Sequence, residues 1–177
     1  MVLFLTILIG KSGRIFITTR ERMPEPLDNP VQVLAFVDAN YAGNMKIRRS
    51  HTGFLIYINQ APNIWYSKRQ NTVEASSFGS EYIALRICTE MVEALRYKLR
   101  CFGVPIEGAC DVLCDNKSVV TNSSVSTSVL NKRHNAICYH RVRETQAAGA
   151  IRVVWIEGKE YVADVFTKMT LSNESKK

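Results

Sequence analysis

From Phe78 onward, apolar side chains return every three or four residues, at Tyr82, Leu85, Cys88, Val92, Leu95 and Leu99, within "ASSFGSEYIALRICTEMVEALRYKLRCFG". That spacing lays a single apolar stripe along a long helix, which Ser76 or Ser77 can cap at its start and Gly103 at its end. A stripe of this length has to be buried against another element, and the residues before it supply one. "VQVLAFVDAN", "TGFLIYI" and "NIWYSKR" are apolar runs with strand composition, the last two joined by a turn at Asn59-Gln60-Ala61-Pro62. They predict an antiparallel meander. After the helix, "DVLCD" reads as a fourth strand, "NKSVVTN" as a short helix, "SSVSTS" as a polar loop and "KRHNAICYHRVRETQAAG" as a basic helix ending at Gly149. "AIRVVWIE" and "EYVADVFTKM" follow as a last strand and a last helix. The order β-β-β-α-β-α-α-β-α specifies an α/β fold.

Residues 1–30 stand apart. They hold one plausible strand, "GRIFITTR", and then "ERMPEPLDNP", whose prolines interrupt regular structure and mark a linker or domain edge. The opening "MVLFLTILIG" is too short an apolar run to span a bilayer and lacks the basic flank and cleavage site of a secretion signal, so it reads as core or as a truncated element. The expected division is 1–30 as connector, 31–170 as the main domain and 171–177 as a polar tail. Five cysteines without Cys-x-x-Cys spacing, set in apolar runs, suit buried thiols in a reducing compartment rather than a zinc cage. A net charge of +7 favours an anionic partner, nucleic acid before a membrane surface.

Acids fall at the ends of elements: Asp38 closes the first strand of the meander, Asp115 closes the fourth, Glu81 lies near the start of the long helix and Asp164 sits in the last. Strand ends and helix starts carry acids for structural reasons too, and Asp115 could cap the helix that follows it. If the first and fourth strands are neighbours, however, Asp38 and Asp115 face one another. Carboxylates that close repel, and divalent cations remove that cost. Oxygen-only ligands suit Mg²⁺ or Mn²⁺, and a pair of such ions supports phosphodiester cleavage.

Six stretches in order, "VDANYAG", "RRSHTGFLIYI", "IWYSKRQNTVEASSFGSEYIAL", "LCDNKSVV", "RHNAICYHRVRE" and "YVADVFTK", span about residues 31 to 169 and resemble the ribonuclease H domain of copia-type long-terminal-repeat retrotransposon Pol polyproteins. The resemblance implies a ribonuclease H-like fold, a five-stranded mixed sheet flanked by helices. It implies hydrolysis of the RNA strand of RNA–DNA hybrids with two Mg²⁺ ions, or Mn²⁺ in their place, held by Asp38, Glu81, Asp115 and Asp164. Asp38 would bridge the ions, Asp164 holding one and Glu81 with Asp115 the other. It also implies a reverse transcriptase domain in the same polyprotein, residues 1–30 resembling at most its tail. The expected location is intracellular, in the cytoplasm, virus-like particles or the nucleus, with no membrane partner.

Around the acids, Asn116 and Ser118 could donate to phosphates or ribose 2′-hydroxyls, or could simply form the first helical turn. Arg48, Arg49, Lys68, Arg69, Lys132, Arg133, Arg141 and Arg143 could meet backbone phosphates without sequence preference, although a solvated face is the default for such residues. His134 and His140 are candidate auxiliaries to proton traffic or product release, against a surface role. His51 reads as a turn residue, and Trp65 and Trp155 as core. Several positions depart from the family pattern: Asn44 replaces an Asp, Phe78-Gly79-Ser80 replaces Thr-Glu-Ala, His134-Asn135-Ala136 loses an acid, and Met169-Thr170 follows Lys168 where Pro-Leu is usual. Gly79 would loosen the turn that carries Glu81 by about 1 kcal/mol relative to Ala. These departures motivate the alternative of a degenerate or domesticated copy that binds nucleic acid without cutting it. An integrase-like strand transferase would need a different acid spacing and a zinc-binding segment.

Overall fold

The computed structural model describes residues 4–9, 15–20, 29–43, 46–125, 127–128, 130, 135–158 and 162–168. Strands β1 (Phe4–Ile9) and β2 (Ile15–Arg20) pair antiparallel as a separate two-stranded sheet. Of these, β2 was expected in "GRIFITTR", whereas β1 occupies the opening apolar run.

The main sheet has five strands: β3 (Val33–Asn40), β4 (His51–Ile58), β5 (Ala61–Arg69), β6 (Cys110–Cys114) and β7 (Ile151–Trp155), in the order β5-β4-β3-β6-β7. The first three form the expected antiparallel meander, and β3, β6 and β7 run parallel. The turn between β4 and β5 is tighter than the sequence suggests. Ile58 pairs with Ala61, so the turn itself is only Asn59 and Gln60, and Asn59 takes the positive φ of 55° that asparagine tolerates. Pro62 is accommodated within β5 because β5 is an edge strand and the register shifts beside Pro62, between the partners of Tyr57 and Ile56.

Helix α1 (Ser77–Cys101) is the long amphipathic helix, capped by Ser76 and ended at Phe102, with Gly103 beyond it in the left-handed conformation at φ 74°. It packs on β3 and β4, with α2 (Lys117–Ser124) and α3 (Ala136–Ala147) completing that layer. The stripe does what its spacing requires: Tyr82, Leu85, Cys88 and Val92 are fully buried, and Ala35, Val37, Phe54, Ile56, Val112 and Cys114 face them from the sheet. The short α4 (Asp164–Lys168) lies over β4, β3 and β5. Because alternate residues of a strand point to opposite faces, Val37 and Phe54 serve the α1 side while Asp38 and Gly53 serve the α4 side.

Phe54 has no solvent exposure and stacks on Tyr66 with ring centroids 4.8 Å apart. Phe54→Ala therefore leaves a cavity at the centre of the sheet. We expect it to lower unfolding free energy by about 3–5 kcal/mol, measured by urea denaturation.

Candidate active site

Val37 of β3 lies opposite Cys114 of β6 in a parallel register, so Asp38 and Asp115, each one residue further on, emerge side by side at the carboxyl edge of both strands. This edge is the topological switch point of the sheet, where the chain leaves β3 toward β4 on one side and returns as β6 on the other. Glu81 arrives from the second turn of α1. The start of that helix is pinned by Ser76, whose hydroxyl accepts the Gly79 N–H at 3.3 Å, and by Gln70, whose amide donates to Thr52 Oγ1 at 3.0 Å and to the Ser80 carbonyl at 2.9 Å. Asp164 opens α4, and Thr167 of the same helix donates its hydroxyl to Asp38 Oδ2 at 2.5 Å.

The four acids are close enough to act on one another electrically. Burial pushes Asp38 up to about 6, the Thr167 hydroxyl pulls the other way, and the charges of Asp115 and Asp164 raise it further. Glu81, only 6% exposed, is held well above the ordinary carboxylate range by burial first and then by Asp38 and Asp115. The Ala39 N–H donates to the Glu81 carboxylate, but Glu81 Oε2 is buried with no hydrogen-bond partner among the described residues. One oxygen of Glu81, one of Asp115 and Cys114 Sγ lie within 4.8 Å of one another. An orphaned carboxylate oxygen facing other carboxylates is a costly arrangement unless a cation completes it, so the donor set fits a divalent metal. The oxygens suit a hard ion, and burial holds the Cys114 thiol far above its usual range, which keeps it protonated.

The structure assigns the cap of α2 to Asn116. Its Oδ1 accepts the Ser118 and Val119 N–H groups at 3.1 and 3.3 Å. Asp115 is thereby relieved of that duty. Lys68 and Arg69 line a cleft of about 330 Å³ together with Gln70, Arg86 and Asn135. Arg48 and Arg49 are exposed ahead of β4, and Ser118 is exposed on α2. Other expectations meet different surroundings. Arg141 is paired with Glu93 of α1, and Arg143 donates to the Val125 carbonyl, Ser128 and Tyr139, so both have protein partners at the α1–α3 and α2–α3 contacts. His140 is exposed on α3, its ring edge-on to Tyr139. Lys132, Arg133 and His134 lie outside the described residues.

Three sequence expectations are corrected. His51 is not a turn residue: it opens β4, paired with Asn40 of β3 and Arg69 of β5. Trp65 and Trp155 are not core: they are 67% and 41% exposed, because each sits on an edge strand, an order that only the tertiary pairing reveals. Trp155 is instead tied to the site, its indole N–H donating to the Asp115 carbonyl at 3.1 Å while Lys117 Nζ sits 4.1 Å from the ring centroid. Gly79 is not merely a weak helix residue. A Cβ there would stand 2.5 Å from Glu74 Oε2 and 3.0 Å from Asn135 Nδ2, so glycine permits the close approach of both. Sequence reasoning also missed Thr167, which no periodicity distinguishes from any other helical threonine.

Known structures share this architecture. The N-terminal RNase H domain of a Mycobacterium tuberculosis protein aligns with a TM-score of 0.59 at 18% identity, over 82% of this chain and 98% of that one. An RNase H1 isolated from compost by a metagenomic approach aligns with a TM-score of 0.61 at 13% identity, over 81% and 98%. This is the ribonuclease H fold. The same compost enzyme, solved in complex with an RNA/DNA hybrid, matches at a TM-score of 0.60 over 76% of this chain and 93% of that one.

By sequence, the chain is similar to retrovirus-related Pol polyproteins of transposons. The protein from transposon TNT 1-94 of Nicotiana tabacum is 30% identical over 139 residues, and those from RE1 and RE2 of Arabidopsis thaliana are 28% and 27% identical over 140. These alignments take in 78–79% of the ribonuclease H-fold chain but only 10% of each relative's length, so the chain spans about a tenth of these three relatives. No protein-family model matches it. Among the described residues, no helix is long and apolar enough to cross a membrane.

Proposed function

We propose that this chain is the ribonuclease H of a copia-type retrotransposon Pol polyprotein, residues 31–170 forming the domain, and that it hydrolyses the RNA strand of RNA–DNA hybrids. The observation that carries the reading is the convergence of Asp38, Glu81, Asp115 and Asp164 at one sheet edge, with mutual repulsion and a buried, unpartnered Glu81 oxygen. These four residues would hold two Mg²⁺ ions, with Mn²⁺ as a substitute. When bound, such ions activate water and stabilise the leaving oxygen of a phosphodiester.

The chain's own residues supply the rest. Thr167 orients the Asp38 carboxylate, and the capped α2 follows directly on Asp115. Asn116 uses its Oδ1 for the cap, which leaves its amide N–H₂ to donate to a ribose hydroxyl or phosphate, and Ser118 is exposed beside it. Arg48, Arg49, Lys68 and Arg69 provide the cationic surface for backbone phosphates. In the polyprotein, the partner domain would be the reverse transcriptase, and the setting intracellular.

The test uses hybrids labelled on the RNA or on the DNA strand, beside a DNA duplex, with the whole 177-residue chain and Mg²⁺ or Mn²⁺. RNA cut only within the hybrid, the DNA left intact, is the expected outcome. Hybrid that is bound and never cut with either ion would establish instead a non-catalytic binding remnant. Lys68→Ala with Arg69→Ala is expected to weaken hybrid binding uniformly across sequences and to flatten the slope of log affinity against log salt by about 2, read by fluorescence anisotropy.

A further inference from the structure

Asp164 reaches the site on α4, a helix of only five residues, and a helix that short has no stability of its own in water. Its position has to come from what it rests on. The resting surface is one row of residues crossing three strands: Asp38 of β3 is the partner of Gly53 in β4, and Gly53 is the partner of Ser67 in β5. Each contributes differently. Asp38 accepts the Thr167 hydroxyl. Ser67 Oγ donates to the Phe166 carbonyl at 2.6 Å. Gly53 contributes the absence of a side chain, since a Cβ there would lie 2.8 Å from Thr167 Cγ2, 2.9 Å from Phe166 Cβ and 3.2 Å from the Ala163 carbonyl.

A fourth residue steadies the row. His51 Nε2 is 2.9 Å from Ser67 Oγ. Ser67 has a single proton and gives it to Phe166, so Ser67 must accept here and His51 must carry its proton on Nε2. Histidine thus fixes the serine rotamer that latches α4. Asp164, carried by that helix, is near enough for its charge to act on both Asp38 and Glu81.

We propose that Gly53, Ser67 and His51 are positioning residues that seat α4 and thereby bring Asp164 into the carboxylate cluster, setting the affinity of the site for its divalent ions. The inference rests on the nuclease reading for its effect on cleavage, but not for its effect on α4. None of the three is placed among the four acids, and they act only through the helix.

The test compares wild type with Gly53→Ala, Ser67→Ala and Ser67→Thr in the 177-residue chain. Three quantities are read: Mg²⁺ binding by calorimetry without nucleic acid, amide exchange of Phe166 against that of core residues Leu85 and Val112, and the Mg²⁺ dependence of hybrid cleavage. Gly53→Ala is expected to weaken Mg²⁺ binding by about tenfold or more, the range seen when a residue that orients metal ligands is lost. Phe166 should exchange faster while Leu85 and Val112 keep their protection, and cleavage should recover toward the wild-type rate at saturating Mg²⁺. Ser67→Ala should give a smaller effect of the same kind, and Ser67→Thr, which keeps the hydroxyl, should restore it. Gly53→Ala that leaves Phe166 exchange and Mg²⁺ binding unchanged would overturn the proposal. A wild type that cuts nothing would count against the nuclease reading alone, because faster Phe166 exchange in Gly53→Ala would still support the seat and unchanged exchange would still refute it.

Discussion

Asp115→Asn abolishes most of the cleavage while leaving the protein folded and able to hold hybrid: we expect a loss of about a thousandfold in single-turnover rate, the scale for removing one preorganised charge from a hydrolytic site. The substitution is nearly isosteric. Its carbonyl accepts the Trp155 indole N–H and Asn116 caps α2, and neither contact uses the Asp115 carboxylate. What disappears is a negative charge within 4.8 Å of a Glu81 oxygen. In EDTA the affinity for hybrid should stay the same or rise, because one charge that repels phosphates has gone. Equal losses of binding and cleavage would place Asp115 in recognition rather than in chemistry.

The second large effect is on stability. Asp38 titrates near 6 in the folded chain against an ordinary value of 3.8, chiefly because it is buried. A carboxylate whose pKa is raised by folding binds more protons in the native state than in the unfolded one, so its contribution to stability is complete below about pH 4 and is lost as pH rises through 6. Glu81 is shifted in the same direction by burial and by Asp38. The metal-free protein therefore carries a penalty at neutral pH, and Asp38→Asn should remove part of it. We expect a gain of roughly 2 kcal/mol in EDTA at pH 7.5, about 4–8 °C in melting temperature, shrinking toward zero at pH 4. Mg²⁺ should stabilise wild type at pH 7.5 and the variant much less. Thermal denaturation across pH 4–8 with and without Mg²⁺ measures both. A variant less stable than wild type at pH 7.5 would mean that the Thr167 hydrogen bond outweighs the burial and repulsion of the carboxylate.

Much of this was legible in the sequence, for identifiable reasons. The stripe from Phe78 to Leu99 needs burial on one side only, and a period of three to four residues expresses that directly, so α1 was plain, with its cap narrowed to Ser76 or Ser77. The meander followed from run lengths, whereas the place of β6 beside β3 was left open by the residues and came only from the family resemblance. The acids were visible because Asp38 and Asp115 end apolar runs, where a charge has to be explained. What was illegible depends on neighbours distant in the chain. Trp65 and Trp155 have strand composition in either a central or an edge strand, and only the order β5-β4-β3-β6-β7 exposes them. Gly79 reads as a helix weakness until Glu74 and Asn135 are seen packed against it. Arg141 counts as positive charge in the sequence, while in the fold it is taken up by Glu93, 48 residues away. The seat of α4 was hidden for the same reason, since Asp38, Gly53, Ser67 and Phe166 meet only across three strands and a helix.

Whether the four acids form a divalent-metal site is decided by a calorimetric titration of the 177-residue chain with Mg²⁺ at neutral pH, repeated in buffers of different ionisation enthalpy. Saturable binding with release of protons is expected, since Asp38 and Glu81 hold theirs more tightly than ordinary carboxylates, and loss of that binding in Glu81→Gln. Absence of saturable Mg²⁺ binding, or binding that survives intact in Glu81→Gln, would contradict a metal site there.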